Sequence, residues 1–452
     1  MGKTTRKISR LAKLGALSSK ISGSYLSQKI RSSLQSKDVE EQELQNTHLD
    51  NAERIVDVMV DLKGAAMKVG QSIAVVADSL DLPKEISSVL SRLNDQATVI
   101  PFEKIEEVVR AEFAEQEFPF LSIDPVPLGT ASLAQAHAAT LHDGTQVVIK
   151  VLHEGVEDSV DTDLQALKKI LQVGRFWKRS REEIDILFDE IRIRLLEELD
   201  YEKELLHLQY FYRVFENMDG IRTPYPYQEY CTKRVLTMQR LLGMPLEKFC
   251  ETASDTSKKR AGDLLCIAFH EMAYVQRALH ADPHGGNYLF QKNGNIGILD
   301  FGCVKRYDQR FIALYSQFGN ALVDTKRQDF MGVAKELEII PKEVSLEVEN
   351  ALWDLACAAA KVFQQDTFFI GSEHDTLLED LKRASKKLLT YSNVRGPRNM
   401  IFLHRSLMGI YSMLRKMKHF GHYEQIRRTH ANLSISVFSG EKEDISFFKN
   451  FE

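Results

Sequence analysis

The sequence predicts an α+β protein in which helices outnumber strands. Most of the 452 residues show apolar side chains at helical three- and four-residue spacing. β-Branched or alternating residues are confined to a few short segments. We therefore expect a helical segment over 38–125, a segment with strands and a helical insert over 126–242, and a mostly helical segment over 243–452.

Composition excludes several classes of protein. The net charge of −5 is too balanced for a protein dominated by nucleic-acid binding, so we expect no nucleic-acid partner. No run of about 18 apolar residues occurs, so no transmembrane helix is expected. The five cysteines are scattered and include no CxxC pair, which fits reduced thiols in a reducing compartment.

The first 37 residues form a segment of their own, predicted to be a basic amphipathic helix. They hold nine Lys or Arg side chains and no acid. Apolar residues recur along one helical stripe; these are Ile8, Leu11, Leu14, Leu17, Ile21 and Tyr25. Three interpretations remain open: contact with an anionic membrane surface, an organelle transit peptide, or a helix packed on the body with a solvated basic face.

The remaining elements follow from periodicity and from the positions of glycine and proline. Helices are predicted over 52–80 and Phe102–Phe113, where Pro101 stands at the helix start. A hairpin is predicted from Leu128–Ala139 and Gln146–Leu152, and helices resume over 156–217.

The second half is predicted to be mainly helical, with a few short strands. The predicted elements are a strand at Arg234–Leu242, a long helix at Ser257–Leu279, strands at Tyr288–Gln291 and Asn295–Leu299 joined by a glycine turn at 292–294, and helices only from Asp308 onward.

The strongest chemical pattern lies at 282–302. Asp282 is followed five residues later by Asn287, and Asp300-Phe301-Gly302 follows a hydrophobic strand. This is the spacing of kinase catalytic and metal loops. Phosphoryl transfer needs one carboxylate facing the attacking oxygen and hard oxygen ligands for Mg²⁺. We therefore predict Asp282 as the catalytic carboxylate, and Asn287 and Asp300 as metal ligands.

Lys150 is a further candidate site residue. It ends a Val-Val-Ile-Lys segment that is close to the V-A-I-K pattern of the third kinase strand. Such a lysine neutralises phosphate oxygens and needs an acidic partner. The candidate partners are Glu197, Glu198, Glu202 and Glu204.

A phosphate-covering loop is expected about 20 residues before Lys150. The segment there is rich in small residues but has no GxGxxG motif; it is Gly129, Thr130, Ala131 and Ser132. Its backbone amides would face the phosphates. No Ala-Pro-Glu occurs in the chain, and 303–307 leads almost directly into a predicted helix. The long peptide-holding segment of a protein kinase is therefore missing.

Together these motifs resemble the UbiB/AarF-domain (ABC1-type) atypical kinases, and most closely the branch involved in coenzyme Q biosynthesis. Lys68-Val69-Gly70-Gln71 resembles the family's KxGQ signature. Gly129–Ser132 resembles its alanine-rich loop. Glu198 and Asp200, with Glu204, resemble its ExD segment and ion-pairing glutamate. The 282–302 pattern resembles its catalytic and metal loops.

The resemblance implies a bilobal protein-kinase-like fold whose helical KxGQ extension lies across the active site. It implies that Glu204 pairs with Lys150, and that Glu198 and Asp200 meet the helix of Lys68 and Gln71 near the nucleotide.

The chain departs from the family pattern at four positions. Gly129 stands where alanine is usual, Thr130 is bulkier than the usual residue, Gly285 stands where proline is common, and Gln239 replaces a glutamate near the adenine.

The expected function is an ATP- and Mg²⁺-dependent ATPase or phosphotransferase that supports ubiquinone or related isoprenoid-lipid metabolism, rather than a conventional protein kinase. Expected partners are ATP, an isoprenoid or quinone-type lipid, and an anionic membrane surface contacted through residues 1–37. Peripheral membrane association on the cytoplasmic or organelle-matrix side is expected. The alternatives are a non-catalytic, nucleotide-regulated lipid-binding scaffold and a small-molecule kinase. The sequence does not set an oligomeric state.

Overall fold

The computed structural model describes residues 3–32, 37–62, 66–70, 89, 92, 99–173, 181–388, 390–391, 397–442 and 444. The chain divides into two compact units. The first comprises Met1–Leu205 and Tyr227–Arg240, and the second comprises Leu206–Pro226 and Leu241–Glu452. Both helices and strands are present, so the fold is α+β as predicted.

Helices dominate the part of the chain that the structure describes. They are α1 (Lys3–Ser32), α2 (Lys37–Leu62), α3 (Phe102–Glu112), α4 (Val160–Val173), α5 (Arg181–Glu198), α6 (Tyr201–Phe215), α7 (Leu246–Thr252), α8 (Asp255–His270), α9 (Gln309–Val323), α10 (Arg327–Glu336), α11 (Leu346–Ala360), α12 (Leu377–Leu388), α13 (Arg398–Met417) and α14 (Tyr423–Phe438). Residues 66–70 are also helical.

The strands are mostly short. They are β1 (Phe120–Thr130), β2 (Ala134–Leu141), β3 (Gln146–Leu152), β4 (Ile221–Arg222), β5 (Val235–Gln239), β6 (Ala278–His280), β7 (Tyr288–Phe290), β8 (Ile296–Ile298), β9 (Val304–Arg306), β10 (Phe368–Phe369) and β11 (Phe420–Gly421).

The first unit contains an antiparallel sheet in the order β1-β2-β3-β5. Val147, Ile149 and Val151 alternate along β3 and are buried with residues of α3, including Ile105 and Val109. This period-2 burial is what a half-buried strand requires. The helices α4, α5 and α6 lie between β3 and β5 in the chain, where the helical insert was predicted.

The N-terminal helices of the first unit pack against each other. Leu14, Leu17 and Ile21 of the predicted apolar stripe are buried, as are Ile55 and Met59 of α2. Lys13 forms an ion pair with Asp61 of α2. The apolar stripe of α1 is therefore used in packing within the unit. The structure thus favours, for this stripe, a helix packed on the body.

The second unit is built around helices and small sheets. β4, β8 and β7 form one sheet, with β4 parallel to β8, and β6 pairs with β9 in another. A separate apolar core is formed by α9, α10 and α11, and Phe330 at its centre is fully buried and stacks on Phe318.

Three features differ from the sequence-based predictions. The predicted helix Ser257–Leu279 is wrong in its second half: α8 ends at His270, a π-helical turn covers Glu271–Val275, and β6 follows. Arg277 has a φ of 53°, a left-handed conformation that ends helical geometry. Its guanidinium forms two hydrogen bonds with Asp444, at 3.1 and 3.0 Å.

The other two differences concern strands. The expectation of helices only after Asp308 is wrong, because β10 and β11 pair with each other. β1 begins at Phe120, earlier than the predicted hairpin, and runs through Pro125 and Pro127. It is an edge strand with irregular register around these prolines, and an edge position tolerates residues without an N–H donor.

Candidate active site

Lys150 of β3 forms an ion pair with Glu204 of α6. Its Nζ lies 2.7 Å from Oε1 and 3.0 Å from Oε2 of Glu204. The Glu204 side chain is 2% exposed and that of Lys150 is 20% exposed. The lysine Nζ also lies 5.4 Å from the centre of the Tyr201 ring. Of the four candidate acidic partners, the structure therefore selects Glu204, the residue that the family resemblance implied.

Asp200 holds the start of the helix that carries Glu204. Its Oδ1 accepts a hydrogen bond from the Lys203 backbone N–H at 3.0 Å, and its carbonyl accepts one from the Glu204 N–H at 3.0 Å. This is the arrangement of an N-cap residue, which satisfies a backbone donor that the helix cannot. The Asp200 side chain is exposed.

The KxGQ segment also meets the acidic segment. Lys68 Nζ lies 2.8 Å from Glu198 Oε2, and both side chains are about one-third exposed or less. The structure thus brings together Lys68 and Glu198 within the first unit. Gln71 lies outside the described residues.

The predicted phosphate loop is the tight connection between β1 and β2. Gly129 pairs with Ala136 across the sheet, and the Ala131 N–H donates to the Ala134 carbonyl at 2.8 Å. Gly129 and Ala131 are exposed, and Thr130 and Ser132 are half-buried. A side chain built at Gly129 would meet no atom within 4 Å. Gln239 ends β5, where it is exposed and lies opposite Val147.

In the second unit, Asp282 and Asn287 belong to one hydrogen-bonded loop. Asn287 Nδ2 donates to the Asp282 carbonyl at 2.9 Å, and the Asn287 N–H donates to the His284 carbonyl at 2.8 Å. The Leu299 N–H donates to the Asn287 carbonyl at 2.9 Å. The predicted catalytic loop is therefore hydrogen-bonded directly to the segment that leads from β8 to Asp300.

A hydrogen bond within the turn and the packing of the Phe301 ring hold Asp300-Phe301-Gly302 in place. Asp300 Oδ1 accepts a hydrogen bond from the Gly302 N–H at 2.9 Å. The Phe301 ring is buried, stacks on Phe211 with centroids 4.7 Å apart, and meets His280 edge-on at 5.9 Å.

Asn287 and Asp300 have the donor chemistry that a magnesium ion requires. Because the Asn287 amide nitrogen is engaged by the Asp282 carbonyl, its oxygen is the atom left for a ligand. Mg²⁺ takes few protein ligands and completes its shell with water and phosphate oxygens. Within the described residues no group of three or more His, Cys, Asp or Glu side chains gathers as a metal cluster. An amide and a carboxylate oxygen fit Mg²⁺ better than a metal that needs a full set of side-chain ligands.

Gly285 opens the short 3₁₀ turn that contains Asn287. It does not adopt a positive φ, and the preceding His284 is extended, with φ −85° and ψ 140°. The extended His284 meets the restriction on a residue before proline, but a Cβ at Gly285 would lie 3.2 Å from Leu246 Cδ2, a tight contact.

Sequence reasoning did not identify Arg405. Its Nη2 lies 3.0 Å from Asp282 Oδ1, so a guanidinium contacts the predicted catalytic carboxylate. Arg405 lies on α13, 123 positions after Asp282. A single basic residue in an amphipathic helix carries no motif, and only the fold brings it to the loop. Phe211 escaped notice for the same reason, whereas His280 stands two residues before Asp282, at the histidine position of the kinase H-R-D loop, and could have been found from sequence.

Comparison with known proteins identifies the family of the chain. The family model described as "ABC1 atypical kinase-like domain" matches residues 92–334, slightly more than half of the chain. The chain belongs to the ABC1 atypical kinase-like family. The resemblance drawn from the KxGQ and Asp-Phe-Gly motifs is therefore confirmed.

Named relatives of this ABC1 protein include mitochondrial atypical kinases. It is 26% identical over 370 residues to "Atypical kinase COQ8, mitochondrial" of Saccharomyces cerevisiae, covering 81% of this chain and 73% of that protein. It is 24% identical over 374 residues to "Atypical kinase coq-8, mitochondrial" of Caenorhabditis elegans, covering 81% of this chain and 49% of that one. The chain therefore spans only about half the length of some of its relatives.

A solved structure supports the fold of this ABC1 protein. The Rv3197–erythromycin complex from Mycobacterium tuberculosis matches with a TM-score of 0.60 and 19% identity, over 91% of this chain and 99% of that one. The predicted kinase-like fold class is confirmed. Among the helices the structure describes, none has the length and apolarity to cross a membrane.

Proposed function

We propose that this ABC1-family protein binds Mg-ATP and acts as an ATPase or phosphotransferase. The observation that carries the proposal is the hydrogen-bonded loop in which Asn287 joins Asp282 to the strand before Asp300. Each unit also keeps its own part of the predicted machinery: the first has the Lys150–Glu204 ion pair, and the second has Asp282, Asn287 and Asp300.

The chain's own residues divide the chemistry among them. Lys150 binds phosphate oxygens, and the nearly buried Glu204 holds its ammonium group in one place. Asn287 and Asp300 would hold Mg²⁺, which when bound neutralises charge on the phosphates. Asp282 orients the attacking hydroxyl or water and accepts its proton. Lys68, Glu198, the 129–132 turn and Gln239 are proposed to line the nucleotide site.

We further propose an isoprenoid or quinone-type lipid as the associated metabolite, with the protein bound peripherally to a membrane on the matrix side of an organelle. Support comes from the mitochondrial atypical kinases named above and from the family resemblance. The basic residues before residue 38, apart from Lys13, which pairs with Asp61, would meet anionic headgroups, each contributing about 1 kcal/mol near such a surface. Because Leu14, Leu17 and Ile21 pack within the protein, this contact would be electrostatic rather than an insertion of the apolar stripe.

The test is phosphate release from Mg-ATP by the purified protein, with and without anionic liposomes. Asp300→Asn should abolish turnover and weaken nucleotide binding measured by calorimetry in Mg²⁺, since one metal ligand loses its charge. Asp366→Asn, a change at an almost fully exposed carboxylate, is the control and should leave both unchanged.

Turnover by Asp300→Asn equal to that of the wild type would contradict the metal assignment. Tight nucleotide binding by the wild type with no phosphate release, with or without liposomes, would favour the non-catalytic lipid-binding scaffold instead. Transfer to a soluble hydroxyl compound without any lipid effect would favour a small-molecule kinase.

A further inference from the structure

Helix α13 lies directly against the catalytic loop of the second unit. Arg405 Nη2 contacts Asp282 Oδ1 at 3.0 Å. One residue later, the buried Ser406 Oγ donates to the His280 carbonyl at 3.3 Å. Two consecutive residues of α13 thus contact Asp282 and His280, the last residue of β6.

Gly409 fixes the distance between the helix and the loop. A side chain at this position would lie 2.6 Å from Pro283 Cγ and 2.8 Å from the Pro283 carbonyl oxygen. Only a glycine allows the helix backbone to approach this closely. Arg405 is therefore presented to Asp282 by a tightly seated helix and not by a mobile loop.

We propose that Arg405 is the positioning residue for the catalytic carboxylate of Asp282. The inference rests on the proposed phosphotransferase or ATPase function. The Asp282 side chain is 45% exposed, so without a partner it would sample several rotamers. A charge-assisted hydrogen bond from Arg405 to Oδ1 holds the carboxylate in one orientation and leaves Oδ2 for the attacking group.

Phosphoryl transfer with a proton passing to Asp282 Oδ2 needs no reagent besides ATP and the attacking hydroxyl or water. The attacking oxygen forms a bond to the γ-phosphorus and passes its proton to Asp282. The bond from that phosphorus to the bridging oxygen breaks, and ADP leaves with the electron pair. Arg405 touches none of the reacting atoms. Arg405 acts only by holding the Asp282 carboxylate in its orientation.

The chain has no long segment after Gly302 that could contact the loop of Asp282. β9 starts at Val304 and α9 at Gln309, so few residues remain between the metal turn and the next helix. The remote helix α13 supplies the contact to Asp282 instead.

The experiment measures kcat and KM for Mg-ATP in the full chain carrying Arg405→Met, Arg405→Lys or Lys416→Met. Lys416 lies on the same helix as Arg405 and forms an exposed ion pair with Glu247 of α7, so its substitution controls for the loss of a surface ion pair of this helix. We expect Arg405→Met to lower kcat by roughly 10- to 100-fold, the cost of a misaimed group, with KM for Mg-ATP within about twofold of the wild type. Arg405→Lys should recover part of kcat, and Lys416→Met should match the wild type.

A second readout separates positioning from a merely structural role. In an Asp282→Asn background, Arg405→Met should cause little further loss, because residues that act as a unit are not additive. Full additivity, a loss seen only in KM, or wild-type kcat in Arg405→Met would each overturn the inference. A fall in melting temperature that accounts for the lost activity, with no recovery by Arg405→Lys, would do so too. If the wild type itself releases no phosphate, the proposed function fails and the role of Arg405 falls with it.

Discussion

At the scale of single residues, the backbone conformation of Gly129 in the predicted phosphate loop does not require glycine. It has no positive φ, and a side chain at its Cβ would meet nothing within 4 Å. Alanine fits this position without strain. The absence of a side chain therefore affects the freedom of the β1–β2 turn rather than its shape.

Gly129→Ala should stabilise the protein without nucleotide by about 0.4–1 kcal/mol, because alanine restricts the unfolded chain and costs nothing in the folded one. It should also change the relative thermal shifts produced by Mg-ATP and Mg-ADP, since the stiffer turn alters the amides proposed to face the phosphates. The measurement is thermal unfolding with each nucleotide.

Gly332→Ala is the matched control for this change. Gly332 also has open space around its Cβ but lies on α10, far along the chain from the turn. It should stabilise the protein without changing the nucleotide-induced shifts. If Gly129→Ala behaves in the same way as this control, the 129–132 turn does not contact the phosphates.

At the scale of elements, the start of α6 shows how a predicted site residue can also stabilise a helix. The resemblance implies a nucleotide-side role for Asp200, which stays a prediction, and the structure shows that Asp200 caps the helix that presents Glu204 to Lys150. A capping carboxylate also interacts favourably with the positive end of the helix dipole.

Asp200→Ala should lower the free energy of unfolding by about 1 kcal/mol, the usual cost of losing an N-cap side chain. Asp200→Asn should nearly restore it, because asparagine caps as well as aspartate does. Denaturant unfolding of the three proteins measures both effects. Equal stability of wild type and alanine variant would show that the cap contributes nothing, and loss of nucleotide binding in Asp200→Asn alone would point to a charge-dependent role at the nucleotide.

The elements also show what sequence could and could not predict. The hairpin around Lys150, the α3 helix and the glycine turn at 292–294 were predictable because each depends on local signals; Gly294 indeed has a φ of 85°. The end of α8 was not, because a π-helical turn and left-handed Arg277 leave no pattern in composition. β1 was hidden by prolines that only its edge position permits.

The candidate site follows the same division. Lys150, Asp282, Asn287 and Asp300 could be predicted because they stand in short motifs whose spacing matches the kinase patterns. The choice of Glu204 among four glutamates needed either the family resemblance or the folded helix. Arg405 needed the fold alone, since its contact with Asp282 depends on the packing of a helix more than 100 residues away.

At the scale of the whole molecule, a buried histidine makes folding sensitive to acid. Burial lowers the pKa of His270 to about 3 from an ordinary 6.5, outweighing the Cys266 carbonyl hydrogen bond that raises it. Because the unfolded chain binds this proton more readily, the contribution of His270 to stability is complete above about pH 6.5 and is lost as the pH drops towards 3.

His270 alone should cost up to about 1.4 kcal/mol of unfolding free energy per pH unit between roughly pH 6 and pH 4. His270→Gln, which keeps a donor but no ionisable ring, should flatten this part of the profile. The measurement is denaturant unfolding at several pH values. The exposed His374→Gln is the control. An unchanged slope in His270→Gln would show that another group governs the acid sensitivity.

The ion pair between Arg277 and Asp444 has a consequence for biosynthesis. The two residues are 167 positions apart, and each side chain is 11% exposed. At about 5–20 residues per second, the ribosome adds Asp444 roughly 10–30 seconds after Arg277. During that interval the nascent chain holds a cationic residue just before β6 without the carboxylate that neutralises it. The second unit therefore gains this support only after almost all of its residues have been synthesised.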